Sequence, residues 1–289
     1  MPSTREIRRR IRGVKNIKQV TRAMNMIAAA RLRRAQTKAE SARPYAERLR
    51  EILQDVQASG VGGRHPLLET RAVTRIGVLL VTSDRGLAGA FNATITREVD
   101  QFLREQTVEI GFVTVGKKGR DYFRMRGRTI DQHFAQPSRD VRLEELSAIS
   151  KRVISDYTSG RYDRVYLAFS EFKSVLKSVP TVLQLLPVEE KNSAAAAAAH
   201  TASYQFEPEA EELLETLLPQ YVEVLIYRAL VESLASEQAA RMIAMKAATD
   251  SATDMIDRLT REYNRVRQTS ITKQILEVVS GAEALEHGD

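Results

Sequence analysis

The 289-residue sequence contains no cysteine and no tryptophan. The absence of cysteine excludes disulfide bonds, thiolate metal sites and cysteine nucleophiles. The four histidines are scattered, with no pair at helical metal-binding spacing, so the sequence predicts no metal site and no cofactor. No apolar run approaches the roughly 18 residues of a membrane-spanning helix, and the start of the chain has no apolar core of a secretory signal. We therefore expect a soluble intracellular protein.

Glycine and proline are absent from the segment Gln220–Ser280, which is sixty-one residues long. A helix of that length would extend about 90 Å at 1.5 Å per residue, far beyond an ordinary globular helix. We expect Pro219 to lie in its first turn, where a missing N–H is harmless. We expect Gly281 to form its C-terminal cap.

A second helical pattern spans Thr4–Gln57, and only Gly13 and Pro44 interrupt it. Read as heptads, twelve of its fifteen seam positions are apolar, which indicates a coiled-coil stripe. Many of them are alanines, which predicts close approach of a partner helix. The seam positions are Ile7, Ile11, Val14, Lys18, Thr21, Asn25, Ala28, Leu32, Ala35, Ala39, Ala42, Ala46, Leu49, Leu53 and Val56.

The three polar seam positions cluster between Lys18 and Asn25. Here we predict a local phase shift of the heptad. The apolar stripe would pass to Ile17, Val20, Met24 and Ile27.

The C-terminal pattern carries a matching stripe, of which eight of ten positions are apolar. Two such stripes on one chain most simply pair antiparallel with each other, although pairing with another chain stays open. The expected arrangement is a long two-helix shaft attached to a compact middle domain. The stripe positions are Ala235, Gln238, Met242, Met245, Thr249, Ala252, Ile256, Leu259, Tyr263 and Val266.

The middle of the chain alternates short apolar runs with helical patterns, which predicts an α/β layer structure. Its first run is nearly continuous, as in a buried parallel strand. Residues Lys191–Ser203, with six alanines at Ala194–Ala199, are typical of a low-complexity connector. Predicted strands are Arg75–Thr82, Val108–Val115, Arg164–Phe172 and Thr181–Val188; predicted helices are Ala93–Arg104, a short one near residues 116–127, and Val141–Ser159.

Glycine-rich turns in the middle do not predict nucleotide binding. Gly86 and Gly89 give neither a dinucleotide fingerprint nor a phosphate loop. The Gly116–Gly119 turn could hold an anion at a helix start, but such turns usually only connect elements. Ser83 and Asp84 follow a strand, yet without a matching histidine they are more typical of capping residues. No coherent catalytic site emerges.

Positive charge is concentrated in the first fifty residues, which hold fifteen lysines and arginines against three glutamates, whereas the whole chain has a net charge of +7. Such a block indicates a solvated helix face or a negatively charged partner, whether nucleic acid, anionic lipid or acidic protein. The only aromatic residue in this block is Tyr45. A basic coiled-coil protein that binds nucleic acid is therefore one candidate, although such proteins usually add aromatic residues or a recognition module.

Several long blocks carry a family resemblance: REIRRRIRGVKNIKQVTRAMNMIAAARLRRAQ near the start, SDRGLAGAFN in the middle, and LASEQAARMIAMKAATDSATDMI and YNRVRQTSITKQILEVVSGAEAL near the end. In order and spacing they resemble the gamma subunit of F-type ATP synthase. The resemblance implies an α/β protein with long helices, in which an antiparallel coiled coil of the terminal helices accompanies a Rossmann-like α/β globular domain. The implied domains are residues 1–58 and 208–285 for the two shaft helices and residues 74–205 for the globular domain.

The same resemblance implies a non-catalytic rotor subunit. It would couple ion-driven rotation of the c ring to conformational change in the catalytic beta subunits. Its partners would be the alpha and beta subunits, the epsilon subunit and the c ring, with no nucleic acid. The missing cysteines exclude thiol control, and the absence of a clear transit peptide favours a bacterial protein, peripheral on the cytoplasmic side of the cell membrane.

Residue roles follow from the resemblance alone. Met24 matches a shaft position that faces an acidic segment of beta, and Arg267, Gln268 and Thr272 match contacts with a loop of beta. Tyr204 and Glu207 match positions near the c ring. Each has a plainer interpretation: seam packing for Met24, a solvated charge for Arg267, and a loop and helix cap for Tyr204 and Glu207.

Overall fold

The computed structural model describes residues 3–56, 65–137, 140–188 and 210–286. Tyr204, Glu207 and the Ala194–Ala199 tract lie outside the described residues. In chain order the elements are α1 (Thr4–Val56), β1 (Arg75–Val81), α2 (Phe91–Arg104), β2 (Glu109–Val115), α3 (Lys117–Arg124), β3 (Ile130–Phe134), α4 (Leu143–Thr158), β4 (Arg164–Ser174), β5 (Lys177–Leu186) and α5 (Ala210–Glu286).

The chain divides into two compact units. One combines Met1–Ile27 with Met242–Asp289, and the other is Ala28–Arg241. Helices α1 and α5 contribute residues to both. Within the described residues, no helix carries an apolar stretch sufficient to cross a bilayer.

The larger unit is built on a five-stranded sheet of order β3-β2-β1-β4-β5. The first four strands are parallel and β5 pairs antiparallel with β4. Strand β1 is buried from Ile76 to Val81, as its continuous apolar run predicts, because α2 and α3 cover one face of the sheet and α4 and α5 the other. The predicted α/β layer structure is confirmed.

In the same unit the small-residue seam of α1 faces α5. Ala39 and Ala42 form one buried cluster with Val231. Alanine at these positions lets the two helices approach closely, as the sequence predicts. The antiparallel pairing of the terminal helices within one chain is thus confirmed. The buried seam residues of α1 in this unit are Ala28, Leu32, Ala35, Ala39, Ala42, Ala46, Leu49 and Leu53.

In the smaller unit, the phase shift predicted for the seam of α1 is wrong. Ile17, Val20 and Ile27 are 57%, 57% and 53% exposed, whereas Thr21 is buried. Thr21 Oγ1 lies 2.8 Å from Thr249 Oγ1, and Asn25 Nδ2 donates to the carbonyl oxygen of Met242 at 2.7 Å. The seam keeps its register because its polar side chains find hydrogen-bond partners across the helix pair.

Two predicted helix boundaries of α5 are also wrong. Pro219 lies inside the helix, which already begins at Ala210. Leu214 and Leu218, buried in the sheet's core cluster, hold the turns before the proline in place, so packing outweighs the lost N–H bond. Gly281 has no positive φ, so it forms no left-handed cap, and the helix continues to Glu286.

Strand β3 (Ile130–Phe134) has no counterpart among the predicted elements. Its sequence, IDQHF, has neither an apolar run nor a clean alternation, and every one of its residues is only half-buried. It is an edge strand that pairs with β2 alone. Its position at the edge follows from the order of the strands in the sheet, which the sequence does not show.

Candidate interaction surfaces

Helices α1 and α5 are fixed to the sheet through the edge of β4. Strand β4 has eleven residues against seven in β1, and β1 pairs only as far as Ala168. Beyond that point, side chains of α5 form hydrogen bonds with the backbone of β4. The Ser170 N–H donates to Ser233 Oγ at 3.1 Å, and Ser236 Oγ donates to the Ser170 carbonyl at 3.1 Å. The helix therefore takes the place of a neighbouring strand.

A buried carboxylate extends this junction. Glu232, whose side chain is 0% exposed, accepts hydrogen bonds from Arg43 Nε of α1 at 3.1 Å and Arg228 Nε at 3.0 Å. It also accepts from the Phe172 N–H of β4 at 3.3 Å, and Arg43 donates to the Phe172 carbonyl at 2.6 Å. Two helices and one strand are thus joined at a single side chain.

The turn after β1 caps a helix, as the sequence predicts for Ser83 and Asp84. The Lys117 N–H donates to Asp84 Oδ1 at 2.9 Å, and the Lys118 N–H to the Ser83 carbonyl at 3.0 Å. Thr82 Oγ1 accepts from the Gly119 N–H at 2.9 Å. These three amides at the start of α3 are the ones an anion would need, and all are occupied by protein.

Catalytic and metal-binding constellations are not found in the described parts of the chain. No group of three or more His, Cys, Asp or Glu side chains there could hold a metal ion. Of the histidines within the described residues, His65 opens a turn and His133 lies half-buried in the edge strand β3. Burial, followed by nearby Arg120, lowers the pKa of His133. Its Nδ1 is 3.1 Å from Thr114 Oγ1, which is a structural contact.

The four residues that were predicted to take over the seam instead form a stripe on α1, which we call the exposed stripe. It consists of Ile17, Val20, Met24 and Ile27. Met24 is half-buried, while the other three are more than half exposed. Met24 lies beside Asn25 in the sequence, which faces α5. Met24 is thus at the margin of the helix pair, where a partner could reach it. Exposed apolar side chains that lie together on one helix face are a candidate surface for another protein.

The basic residues in the first part of α1 are largely unpaired. Arg10 pairs with Glu6 at 2.7 Å, and Arg8 lies over the ring of Tyr263 at 5.4 Å. The remaining ones form no ion pair with a described residue, so their charge faces solvent. This first part of α1 therefore carries exposed positive charge on more than one side, which suits an acidic partner surface. These exposed cations are Arg5, Arg9, Arg12, Lys15 and Arg22.

Near its end, α5 has no partner within the described residues. Every residue from Arg267 to Ala282 is exposed. Arg267 and Gln268 are accessible, and Thr272 Oγ1 donates to the Gln268 carbonyl at 3.0 Å. The apolar residues of this segment were not predicted from the sequence, because they fall outside the phase of the earlier stripe, whose next positions are the polar residues Ser270, Lys273 and Glu277. They are Ile271, Ile275, Leu276, Val278 and Val279, exposed by 48%, 58%, 60%, 73% and 48%.

Comparison with known proteins gives these surfaces a context. A family model described as ATP synthase matches residues 3–285. The chain is 44% identical over 286 residues to the ATP synthase gamma chain of Pelotomaculum thermopropionicum, covering 99% of this chain and 100% of that protein. It is 46% identical over 290 residues to the ATP synthase gamma chain of Heliobacterium modesticaldum, with 99% and 100% covered.

Solved structures agree. A chain in the central stalk and c ring of the Tetrahymena thermophila mitochondrial ATP synthase superposes with a TM-score of 0.61 at 28% identity, over 79% of this chain and 99% of that chain. A chain of the Euglena gracilis mitochondrial ATP synthase, in a structure of OSCP, F1 and c ring, gives a TM-score of 0.70 at 16% identity, over 99% and 95%. The second likeness shows the fold alone.

Proposed function

This chain belongs to the ATP synthase family as a gamma chain, and we propose that it is the non-catalytic rotor of the central stalk. It couples ion-driven rotation of a c ring to conformational change in catalytic beta subunits. The carrying observation is similarity to gamma chains over essentially the full length of both proteins. It is supported by the antiparallel pairing of α1 with α5, which suits an element that transmits torque.

The proposed partners are the alpha and beta subunits, the epsilon subunit and the c ring. A rotor must touch each beta subunit in turn without a deep apolar anchor, because strong docking would arrest it. The exposed stripe and the exposed cations of α1 offer shallow contacts of that kind. We assign Met24 to an acidic segment of beta, and Arg267, Gln268 and Thr272 to a second contact with beta. Tyr204 and Glu207 are assigned to the c ring.

We further propose the domain limits 1–58, 74–205 and 208–285 for the first helix, the globular domain and the last helix. The protein would act at the cytoplasmic side of a bacterial cell membrane, held there through the complex. The relatives named above are gamma chains, which leaves the alternative of a nucleic-acid-binding coiled coil without support.

Reconstitution tests the proposal. The purified chain is mixed with alpha and beta subunits, and complex size and ATP hydrolysis are followed together. We expect one copy of this chain per alpha–beta hexamer and hydrolysis that depends on its presence.

A variant ending at Val266 provides the control, because it removes only the part of α5 that no described residue covers. We expect it to fold but to support less hydrolysis. If the full chain stays folded and does not associate, the proposal is wrong, and salt-sensitive binding to DNA becomes the next measurement.

A further inference from the structure

The free edge of strand β3 lies beside a strongly basic hollow. The hollow has a volume of about 580 Å³ and is lined by Arg120, Arg124 and Arg128 together with Gln132 and His133 of β3. We call it the arginine hollow. It lies in the larger unit, on the face of the sheet that α3 covers, and neither the exposed stripe of α1 nor the end of α5 is part of it.

Positive charge in the hollow is not neutralised by the described residues. Arg120 is paired with Asp121, at 2.7 Å, but Arg124 and Arg128 are exposed and form no ion pair with a described residue. The one carboxylate at the hollow, that of Asp131, is already shared by Arg161 at 2.6 Å and Arg75 at 3.4 Å. Two guanidinium groups therefore remain to bind an anion.

Asp131 is also withdrawn from the opening. Its side chain is 3% exposed, and its Oδ2 accepts a hydrogen bond from Tyr162 at 2.6 Å. It cannot turn towards Arg124 or Arg128 without leaving these partners.

The strand offers unpaired backbone groups at the same place. The carbonyls of Gln132 and Phe134 point to β2, since they accept from Thr114 Oγ1 and from the Gly116 N–H. The N–H and C=O of His133, between them, face the other way, because alternate residues of a parallel strand bond to opposite neighbours. No described strand lies on that side.

We propose that an extended acidic segment of another subunit of the complex adds to the sheet along β3, with its carboxylates in the arginine hollow. A polypeptide is favoured over a nucleic acid or a free phosphate because only a peptide backbone matches the N–H and C=O of a strand edge. Side chains of an added strand alternate between faces, so the carboxylates would recur every second residue. This inference rests on the proposed function, which supplies the complex.

Short edge strands flanked by charges also occur as protection against aggregation. In that case the arginines would repel other chains and β3 would stay unpaired in the complex. The two interpretations differ in the exchange of the His133 amide, which faces the open edge.

The test compares amide hydrogen exchange across residues 129–135 in the free full-length chain and in the whole purified ATP synthase. We expect exchange of the His133 amide to slow about tenfold or more in the complex. The double variant Arg124→Glu/Arg128→Glu should return it to the rate of the free chain. The matched control Arg97→Glu/Lys151→Glu, which reverses two exposed charges on α2 and α4, should keep the slowing.

Equal exchange in the free chain and the complex overturns the inference, as does slowing that survives charge reversal in the hollow. If the reversed variant does not fold, Arg124→Gln/Arg128→Gln replaces it, and at least a roughly threefold loss of the slowing is expected. Complex size and ATP hydrolysis are recorded on the same samples. Failure of the wild-type chain to assemble counts against the proposed function, whereas assembly without slowing counts against this inference alone.

Discussion

At the scale of single residues, the side chain of Glu232 links α1, α5 and β4. It is fully buried and is held by two arginines and one backbone N–H. A buried carboxylate is costly to desolvate, so the gain in stability from the pair itself is small. Loss of the carboxylate alone is different, because it leaves Arg43 and Arg228 without their common anion.

We expect Glu232→Leu to lower the free energy of unfolding by about 3 kcal/mol, since it breaks one side of a buried charge network. Urea unfolding followed by circular dichroism measures it. Glu277→Leu removes an exposed ion pair with Lys273 and should cost less than about 0.5 kcal/mol. If both substitutions lower the free energy of unfolding equally, the buried network contributes no more to stability than the exposed ion pair does.

Asp163 makes stability depend on pH. Its Oδ2 accepts from Thr74 Oγ1 at 2.6 Å, the Thr74 N–H at 2.8 Å and the Arg75 N–H at 2.9 Å. The hydrogen bonds from Thr74 lower the pKa of the Asp163 carboxyl. Since the folded pKa lies below the unfolded value of about 3.9, the stabilisation is present above that value and is lost as the pH falls through the folded pKa.

We therefore expect Asp163→Asn to lower the free energy of unfolding by about 1 kcal/mol at neutral pH, the modest size reflecting partial exposure. The difference from the wild type should shrink as the pH falls below about 4. Thermal unfolding at a series of pH values measures both. Asp250→Asn, at an exposed position of α5, is the control, and a gap that stays constant with pH would contradict the assignment.

At the scale of elements, the start of α3 is fixed by contacts with the end of β1. Gly116 adopts a φ of +92°, and a Cβ there would lie 2.2 Å from the Thr82 carbonyl oxygen. Backbone cannot yield as a flexible side chain can. Any other residue at this position must displace the strand or the helix.

We expect Gly116→Ala to destabilise the larger unit by about 3 kcal/mol or more, through the clash and the left-handed backbone together. Gly13→Ala is the matched control, because Gly13 lies inside α1 with nothing within 4 Å of its added Cβ. It should stabilise the chain by about 0.5–1 kcal/mol. Thermal unfolding measures the stability of both variants. If Gly116→Ala leaves the stability unchanged, the close approach of Gly116 to the Thr82 carbonyl is wrong.

Elements with strong local patterns could be predicted, and elements fixed by tertiary packing could not. The runs of β1, β2 and β4 are buried on both faces, so their apolar character alone indicates strands. Strand β3 lacks such a run. Pro219 and Gly281 have strong local preferences, but packing and continued helical bonding override them. Thr21 and Asn25 look like breaks in the seam because a sequence does not reveal hydrogen-bond partners across a helix pair.

At the scale of the whole molecule, identity was easier to predict than the roles of individual residues. Long terminal blocks in a fixed order define the family, and the comparisons bear this out. A partner-binding role depends on another chain, and one chain shows only that a side chain is accessible. The roles of Met24, Arg267, Gln268 and Thr272 therefore stay predictions, and so do those of Tyr204 and Glu207.

We expect Met24→Lys to leave assembly intact and to reduce ion pumping per ATP hydrolysed by roughly twofold, because an added cation strengthens the hold on an acidic segment. Pumping and hydrolysis are measured together in inverted membrane vesicles. Met26→Lys adds the same charge on the opposite flank of α1, where Met26 is 59% exposed, and should have little effect. Unchanged coupling in the first variant would contradict the role of Met24.

We expect Arg267→Ala/Gln268→Ala to lower ATP turnover of the assembled hexamer by about threefold with assembly unchanged, since truncating exposed side chains alters stability by less than about 0.5 kcal/mol. Turnover per complex is measured after size separation. Arg261→Ala, on an exposed part of α5 that precedes this segment, serves as the control. Turnover equal to that of the wild type would mean that these two side chains do not contribute.

The exposed end of α5 has a consequence for how the protein is handled and made. A lone helical segment of this length is only marginally stable in water, and this one displays five large apolar side chains. Outside the assembly we expect this segment to fray, to be cleaved by proteases and to promote self-association. We expect partner subunits to cover the same residues inside the assembly. We therefore expect the exposed end of α5 to be the part of an unassembled copy that proteases cut first.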